Sequence, residues 1–545
     1  MERKTIRLIS LLISLLMVAV IISGCQGKET ESVNNTESAD SVTPSTSSDD
    51  PYAKYTPVEG KKYVFNIVGQ QLGPMLEKDK QTITKYFEDT LGITINFADI
   101  DPTKYADIIN LKFASGERFD KFFAPNYDTY NKWIKQDLCA EIPEELLENL
   151  APNIYNIYQE ENPRALTYTR VNGVSYGLPM YRNYSEFRTP IAWRGDWLKN
   201  VGIQKVPETL DEFEQAMYKF ANEDPDKNGE KDTYGMSSTA MQMVYGAYGY
   251  LRGVWQQKDG NLVYGTIQPE VKEALAKLNQ WYKDGIIDPE FITGENKGGY
   301  AMISHAFVNG KIGVSCMGYV YHWKKALNEK DTLVSFNADE LRKVNQKAYE
   351  ELTFGQPPKG PTGKCGILQE GLVSAGITCF GKDLENEPDK FGKLLQFYDY
   401  VNSSFDNYLI SLYGFEGQSY KWENDAVVPI NEFEDLKILS GCGGNTMTNI
   451  GWSPFKYSEK IFKAQTDFAR EFKMNENGIR NELVVGLPSA PKFQAELQKI
   501  EDEAILAIID GTKPLSSFDE FVAKWKAGGG DELTKEANEW FSSLK

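Results

Sequence analysis

From Lys62 onward, short β-rich runs alternate with longer stretches of helical periodicity, and that alternation restricts the chain to folds in which helices cover a sheet. Tyr63–Val68, Ile93–Phe97 and Asp120–Phe123 read as strands, and Met75–Thr90 and Tyr105–Ala114 as helices between them. The pattern predicts an α/β sheet with helices on both faces. Asn172-Gly173 lies between Thr169-Arg170-Val171 and Val174-Ser175-Tyr176, and both residues tolerate positive φ, so it signals a hairpin. Asp259-Gly260 and Asn309-Gly310 carry the same signal. A second unit opens near Thr189 with the strand-like Pro190–Arg194. A helix follows, begun by a Thr209/Glu212 capping box, with Leu210, Phe213, Met217 and Phe220 on its apolar face. Near the end, one helix spans Phe493–Ile509 before Gly511, and another runs from a Ser517/Glu520 capping box to about Gly528.

The first residues form a leader. Arg3, Lys4 and Arg7 precede an apolar run from Leu8 to Ile22, too short to span a bilayer, which ends in Ile22-Ser23-Gly24-Cys25. That order reads as a signal peptide with a bacterial lipobox, predicting lipid on Cys25 and an anchor on the outer face of the cell membrane. Gln26 to Tyr55 is polar and nearly free of apolar residues, as a flexible tether would be. The remaining ~490 residues exceed what one core supports and imply at least two lobes. With 78 acidic against 59 basic residues and a net charge of −19, nucleic acid and anionic lipid are unsuitable partners.

Catalytic signatures are sparse. The chain has only His305 and His322, with no His-Glu-x-x-His and no Gly-x-Ser-x-Gly. The stretch Gly360–Cys365 fails as a phosphate loop because Pro358 occupies the place of its first glycine. Paired carboxylates for glycoside hydrolysis stay open, since acidic residues are abundant and sequence gives no distances. Beyond Cys25, the five cysteines at 139, 316, 365, 379 and 442 read as buried free thiols, with a Cys365–Cys379 bridge as the alternative. The sharpest local motif is Asp224-Pro-Asp226-Lys-Asn228-Gly229-Glu230-Lys-Asp232, which matches the first half of a calcium loop. Asp224, Asp226, Asn228 and Asp232 would ligate through side chains and Glu230 through its carbonyl, but Gly235 replaces the bidentate glutamate at the twelfth position.

Aromatic residues at expected turns and strand ends, Tyr176, Tyr181, Trp255, Tyr319, Trp323, Tyr420, Trp422 and Trp452, suit a carbohydrate cleft, where ring faces stack on sugar C–H surfaces. Core packing is the competing use of any one of them. The segments Arg194-Gly-Asp-Trp197-Leu, Val206-Pro-Glu-Thr209-Leu-Asp-Glu, Asp224–Tyr234, Val308-Asn-Gly-Lys311, Gly414-Phe-Glu416-Gly417-Gln-Ser-Tyr420 and Phe518-Asp-Glu-Phe-Val-Ala-Lys-Trp525, in this order, give the chain a specific likeness. It resembles the extracellular solute-binding lipoproteins of bacterial ABC importers, in the subgroup similar to LplA-type and alginate-oligosaccharide-binding proteins.

The resemblance implies a two-lobed, periplasmic-binding-protein-like (type II) α/β fold with the ligand in the cleft between lobes. Residues 1–24 would be the signal peptide and 25–57 the lipidated tether. The first lobe would hold 58–185 with 366–442, and the second 186–365 with 443–545. Tyr181, Arg182, Tyr319, Glu416 and Trp255 are the leading ligand-binding candidates, with Asn126, Tyr127 and Trp452 behind them. Family members often carry a further carboxylate immediately after the position of Asp232, where this chain has Thr233. The implied function is capture of an oligosaccharide or related sugar for an ABC permease by a lipid-anchored, monomeric, non-enzymatic receptor, with Ca2+ as the one implied cofactor. The alternatives are a same-fold receptor for a peptide or chelate, a glycoside-active enzyme, and a sensor subunit.

Overall fold

Strands form where β-branched and aromatic residues cluster. In the computed structural model the order is β1 (Tyr63–Ile67), β2 (Ile93–Phe97), β3 (Lys121–Ala124), β4 (Gly177–Pro179), β5 (Ile191–Trp193), β6 (Tyr234–Met236), β7 (Ile312–Ser315), β8 (Thr353–Gly355), β9 (Ile367–Leu368), β10 (Ile377–Phe380) and β11 (Gly478–Ile479), besides three hairpin ladders. The structure describes residues 50–69, 73–98, 100, 104–180, 189–292, 303–325, 335–369, 376–423, 425–445 and 454–544, and its elements fall in one unit, Pro51–Lys545.

Two sheets organise this unit. The first has the order β2-β1-β3-β10-β4, with β1 parallel to β2 and β3 and with β10 antiparallel to its two neighbours. The second has the order β8-β5-β7-β6, with only β7 and β6 parallel. Both are covered on two faces. Phe65, Ile67, Leu178 and Phe380 face one apolar layer of the first sheet, and Phe122, Ala124, Ile377 and Cys379 face the other. In the second sheet, Trp193 and Val314 point into the layer that holds the C-terminal helices, while Ala192 and Ile312 point into a layer with Phe307 and Trp323. The observed α/β/α layering follows from central strands such as β5, β7 and β10, every residue of which is buried.

Several local expectations are met. Helix Tyr105–Ala114 and strand Ile93–Phe97 fall on their anticipated bounds, and Asn172-Gly173 and Asp259-Gly260 turn two hairpins with φ of 54° and 85°, and 51° and 78°. The Thr209/Glu212 capping box is present, the Thr209 hydroxyl accepting from Glu212 N at 3.2 Å.

Three expectations are corrected. Asn309-Gly310 is not a hairpin: it closes the C-terminus of helix His305–Val308, with Lys311 N donating to Ala306 O at 2.7 Å before β7 begins. The helix expected from Met75 is Thr82–Leu91, because the Ile83 and Thr84 amides donate to the Cys442 carbonyl, a tertiary cap invisible in the sequence. At the C-terminal end, helix Ser517–Trp525 has no side-chain cap on its first turn, and the break after it falls at Gly529 (φ 117°), not Gly528. A Cβ on Gly529 would come within 2.4 Å of the Phe493 ring. The five described cysteines are free: Cys379 is buried in the first sheet, while the Cys365 thiol donates to Asn477 Oδ1 at 3.3 Å.

The Arg194-Gly-Asp-Trp197 segment is a packing device. Arg194 and Asp196 form a buried two-point ion pair at 2.8 and 2.6 Å, and the guanidinium lies over the Trp197 ring, 4.8 Å from its centroid. Gly195 is required between them because a Cβ there would sit 2.0 Å from Glu351 O.

Lys121 is a buried cation in the middle of the first sheet, 1% exposed, with Nζ 3.5 Å from Val68 O and no ion pair to any described carboxylate. Burial pushes its ammonium down to about 7. Unfolded lysine takes up its proton near pH 10, so folding stability falls as pH drops from about 10 to 7 and levels off below. Lys121→Met is therefore expected to raise the melting temperature at pH 7, with the gain shrinking toward pH 10. A pH series of thermal melts checks this, and a gain that does not change with pH would refute it.

Candidate functional site

Two cavities adjoin at Gly486. The first, of about 260 Å³, lies past the end of β3 and is lined by Pro125, Asn126, Tyr127, Asp128, Gly376, Val484 and Gly486. The second, of about 290 Å³, is lined among others by Trp255, Tyr264, Asn481, Gly486, Gln494 and Trp525. The segment 481–487 forms part of the wall of both. A Cβ at Gly486 would stand 2.4 Å from Asp128 Oδ1, so a side chain there would have to displace that exposed carboxylate.

In the first cavity, β3 delivers an extended Asn126 (φ −159°) whose Oδ1 accepts from Thr129 N at 2.9 Å and caps helix Tyr127–Lys135. That bond fixes the amide and leaves Nδ2 pointing from an exposed residue, with no hydrogen-bond partner among the described residues. Tyr127 offers a ring face only. Its hydroxyl donates to Tyr168 O at 2.5 Å, and burial pushes the phenol well above its usual range, so it stays neutral.

In the second cavity, the hairpin turned by Asp259-Gly260 sets Trp255 across from Tyr264, ring centroids 5.2 Å apart. Tyr264 in turn stacks on Trp525 at 4.8 Å and 8°. These three rings make an aromatic row along one wall. Asn481 Oδ1 accepts from Trp255 N at 3.0 Å, and Glu482 N donates to Trp255 O at 2.9 Å, so the row is tied to the 481–487 segment. Trp255 is only 7% exposed, and much of its surface is used in packing. Tyr264 and Trp525 were not among the sequence candidates for this wall. Their signal existed only in part: Tyr264 pairs with Trp255 across a hairpin that the sequence does show, whereas Trp525 arrives from a helix far along the chain.

The remaining candidates are placed elsewhere or lie outside the described residues. Tyr181, Arg182 and Trp452 belong to the latter group. The Tyr319 ring lies flat on Phe468 at 3.8 Å and 11°, with Phe354 edge-on at 5.9 Å, and burial pushes its phenol up to about 12. Glu416 is exposed on a turn between Gly414 (φ 79°) and Gly417 (φ 75°), and it lines neither cavity. Of the other aromatics weighed for a sugar cleft, Trp323 is fully buried and Tyr420 is 5% exposed, both as core.

The Asp224–Asp232 loop turns its side-chain oxygens toward Asn228 and the loop amides. Asp224 accepts from the amides of Asn228 and Gly229 at 3.1 Å each, and Asn228 Nδ2 donates to Asp226 Oδ2 at 3.0 Å and to Asp232 Oδ2 at 3.2 Å. Glu230 contributes its backbone, with N–H donating to Asn228 Oδ1 at 2.7 Å. Burial, then the neighbouring Asp224 and Asp232, raise the Asp226 carboxyl above the usual range. Two positions add nothing. Thr233 is buried and donates to Phe220 O at 2.8 Å, and a Cβ at Gly235 would meet Met217 at 2.8 Å. Among the described residues, no group of three or more His, Cys, Asp or Glu is drawn together tightly enough to hold a metal ion, and the amide of Asn228 occupies the centre of the loop.

Comparison with known proteins fits this geometry. Residues 81–346 match the model of the bacterial extracellular solute-binding protein family. Lipoprotein LipO of Bacillus subtilis (strain 168) is 24% identical over 507 residues, covering 89% of this chain and 94% of LipO. The polygalacturonan/rhamnogalacturonan-binding protein YtcQ of the same strain is 26% identical over 393 residues, covering 69% of this chain and 72% of YtcQ. In solved structures, a solute-binding protein described as HMO-binding and ABC-transporter associated, from Bifidobacterium longum infantis ATCC 15697, superposes with a TM-score of 0.62 at 15% identity, over 88% of this chain and 99% of that one. The two-sheet architecture is thus the two-lobed solute-binding fold. The match over residues 81–346 and the near full-length likeness to LipO make this chain similar to the bacterial extracellular solute-binding proteins.

Proposed function

We propose that this protein captures an oligosaccharide or related sugar between its lobes and delivers it to the permease of an ABC importer, acting as a monomer and without catalysis. The observation that carries the reading is the row Trp255, Tyr264 and Trp525 along a cavity that adjoins the Asn126 amide. Flat apolar rings beside fixed polar groups are what a sugar requires, since its C–H faces stack and its hydroxyls need directed bonds. Relatives that carry sugar names, YtcQ and the HMO-binding protein, support the same chemistry. Closure of the lobes would trap the ligand and create the surface a permease reads.

A thermal-shift screen of residues 56–545 against a glycan panel tests this. A bound sugar at a hundred times its Kd stabilises the fold by about 2.7 kcal/mol and raises the melting temperature by several degrees. A shift with the glycan recovered intact is the expected result. Turnover of the hit would replace the receptor with an enzyme.

The proposal extends to the Asp224–Asp232 loop as a structural Ca2+ site held by Asp224, Asp226, Asn228, the Glu230 carbonyl and Asp232. Its support is the convergence of these groups and the Asp226 carboxyl, raised first by burial and then by the neighbouring Asp224 and Asp232, whose charged form a cation would favour. Because that carboxyl is raised in the folded state, the metal-free loop favours folding more below its pKa and loses that contribution as pH rises. Ca2+ should therefore raise the melting temperature more at pH 7.5 than at pH 4.5, and Asp224→Ala/Asp226→Ala should abolish the difference. Equal chelator sensitivity of the variant and the parent would disprove the site.

Anchoring by lipid on Cys25 completes the proposal, supported by the leader sequence and by the likeness to a protein named a lipoprotein. Cys25→Ala should move the protein from the membrane fraction to the medium. Retention of the variant on membranes would count against lipidation.

A further inference from the structure

Next to the aromatic row lies a charge pair whose members line neither cavity. Glu501 sits on the inner face of helix Ala490–Ile509 and is 1% exposed. Both of its carboxylate oxygens are used: Oε1 accepts from Arg252 Nε and Oε2 from the Tyr264 hydroxyl, each at 2.8 Å. Arg252 also pairs with Asp502, the next residue of the helix, and Gln498 Nε2 donates to that Asp502 at 3.0 Å. A carboxylate taken out of water needs a countercharge and filled lone pairs, and Arg252 and Tyr264 supply them. Glu501 is thereby held in one place, and what it holds in turn is Tyr264.

Tyr264 is the ring of the row with surface to offer. Trp525 is 2% exposed and Trp255 7%, whereas Tyr264 is half-buried and lines the cavity with them. Tyr264 lies flat on Trp525 and is tilted 54° from Trp255. Stacking sets the plane of a ring but lets it slide within that plane, and a directed hydrogen bond removes the freedom. The Thr266 side chain also bonds the Tyr264 hydroxyl, but it belongs to the same turn and moves with it, while Glu501 comes from another element. Burial and the Glu501 charge push the phenol well above its usual range, so the hydroxyl keeps its proton and goes on donating. With that proton committed to Glu501, Tyr264 offers a ligand its ring face.

We propose that Glu501, held by Arg252, is a positioning residue for ligand binding: it fixes the Tyr264 ring in its plane, and with it the stacking surface that the cavity presents. The inference rests on the receptor reading above and deepens it, since it assigns part of the affinity to a carboxylate that touches no ligand. A stacked sugar makes many weak contacts at once, and a gap of about 0.5–1 Å forfeits a quarter to a half of each.

Tyr264→Phe keeps the ring and removes its bond to Glu501, and Glu501→Leu removes the same bond from the other side. Near-ultraviolet circular dichroism of the Pro51–Lys545 unit without sugar reads the packing of the row. Isothermal titration with neutral, uronic-acid and sulfated oligosaccharides of two to six residues reads affinity. Both variants are expected to change the sugar-free spectrum and to bind the tightest of these oligosaccharides at least fivefold more weakly, well below their melting temperatures. In the Tyr264→Phe background, Glu501→Leu should cost no further affinity, because the hydroxyl is its only route to the ligand. Tyr218→Phe, which removes a bond to Asp284 at a residue lining neither cavity, controls for lost stability and should bind as the parent does. An unchanged spectrum or an unchanged affinity in Tyr264→Phe would overturn the positioning role, and that variant decides the matter even if Glu501→Leu fails to fold. Additive losses in the double variant, or an equal loss in Tyr218→Phe, would overturn it too. Failure of every oligosaccharide to bind the unaltered protein would remove the receptor reading and this inference with it.

Discussion

The lacing of the crossing segments is the constraint on which the rest of the structure depends. A chain that builds two sheets from interleaved stretches must pass between them repeatedly, and each passage exposes backbone that neither sheet can pair. Here β9 and β11 pair in parallel, Ile367 N donating to Asn477 O and Gln369 N to Ile479 O. The buried Gln369 amide then takes hold of Thr189 from both sides, accepting from its N–H at 3.1 Å and donating to its carbonyl at 3.3 Å. Three distant stretches of sequence are thereby fixed to one another through very few bonds. A short ladder of this kind can hold the sheets in register while leaving them free to rock, which is the motion that lobe closure requires.

Buried charge is handled in two different ways, and the contrast explains why only one of these sites belongs to the functional argument. Lys121 lies inside a sheet and can discard its proton, so the fold tolerates it as a neutral amine. Arg194 and Arg252 cannot discard theirs, and each is matched by carboxylates: Asp196 for the first, Glu501 and Asp502 for the second. Arg480 is the arginine for which the described residues supply neither answer, its Nε being buried without a partner among them. The Asp224–Asp232 loop presents the opposite case, carboxylates brought together without a cation of the chain's own.

Local chemistry made much of the fold legible. Asn172-Gly173 and Asp259-Gly260 both adopt positive φ at each residue, so two hairpins could be foreseen, and the Thr209/Glu212 box fixes a helix start through bonds three residues apart. The same chemistry misled at Asn309-Gly310, because a left-handed glycine, here Gly310 at φ 77°, also terminates a helix, and only the neighbouring elements choose between the two. Aromatic residues showed the limit most clearly. Trp255, Trp323 and Tyr420 share a sequence signal, yet one borders a cavity and the other two are core, since burial depends on what the rest of the chain brings against them.

By itself, the sequence determined the alternation of strands and helices, the apolar run ahead of Cys25, the acidic balance and the oxygen-rich loop, because each is set by residues close together in the chain. Tertiary structure decided which distant residues come together to line the two cavities. Tyr264 and Trp525 meet across roughly half the chain, and Asn126 and Gly486 share a cavity; these are consequences of non-local pairing, which no local pattern encodes.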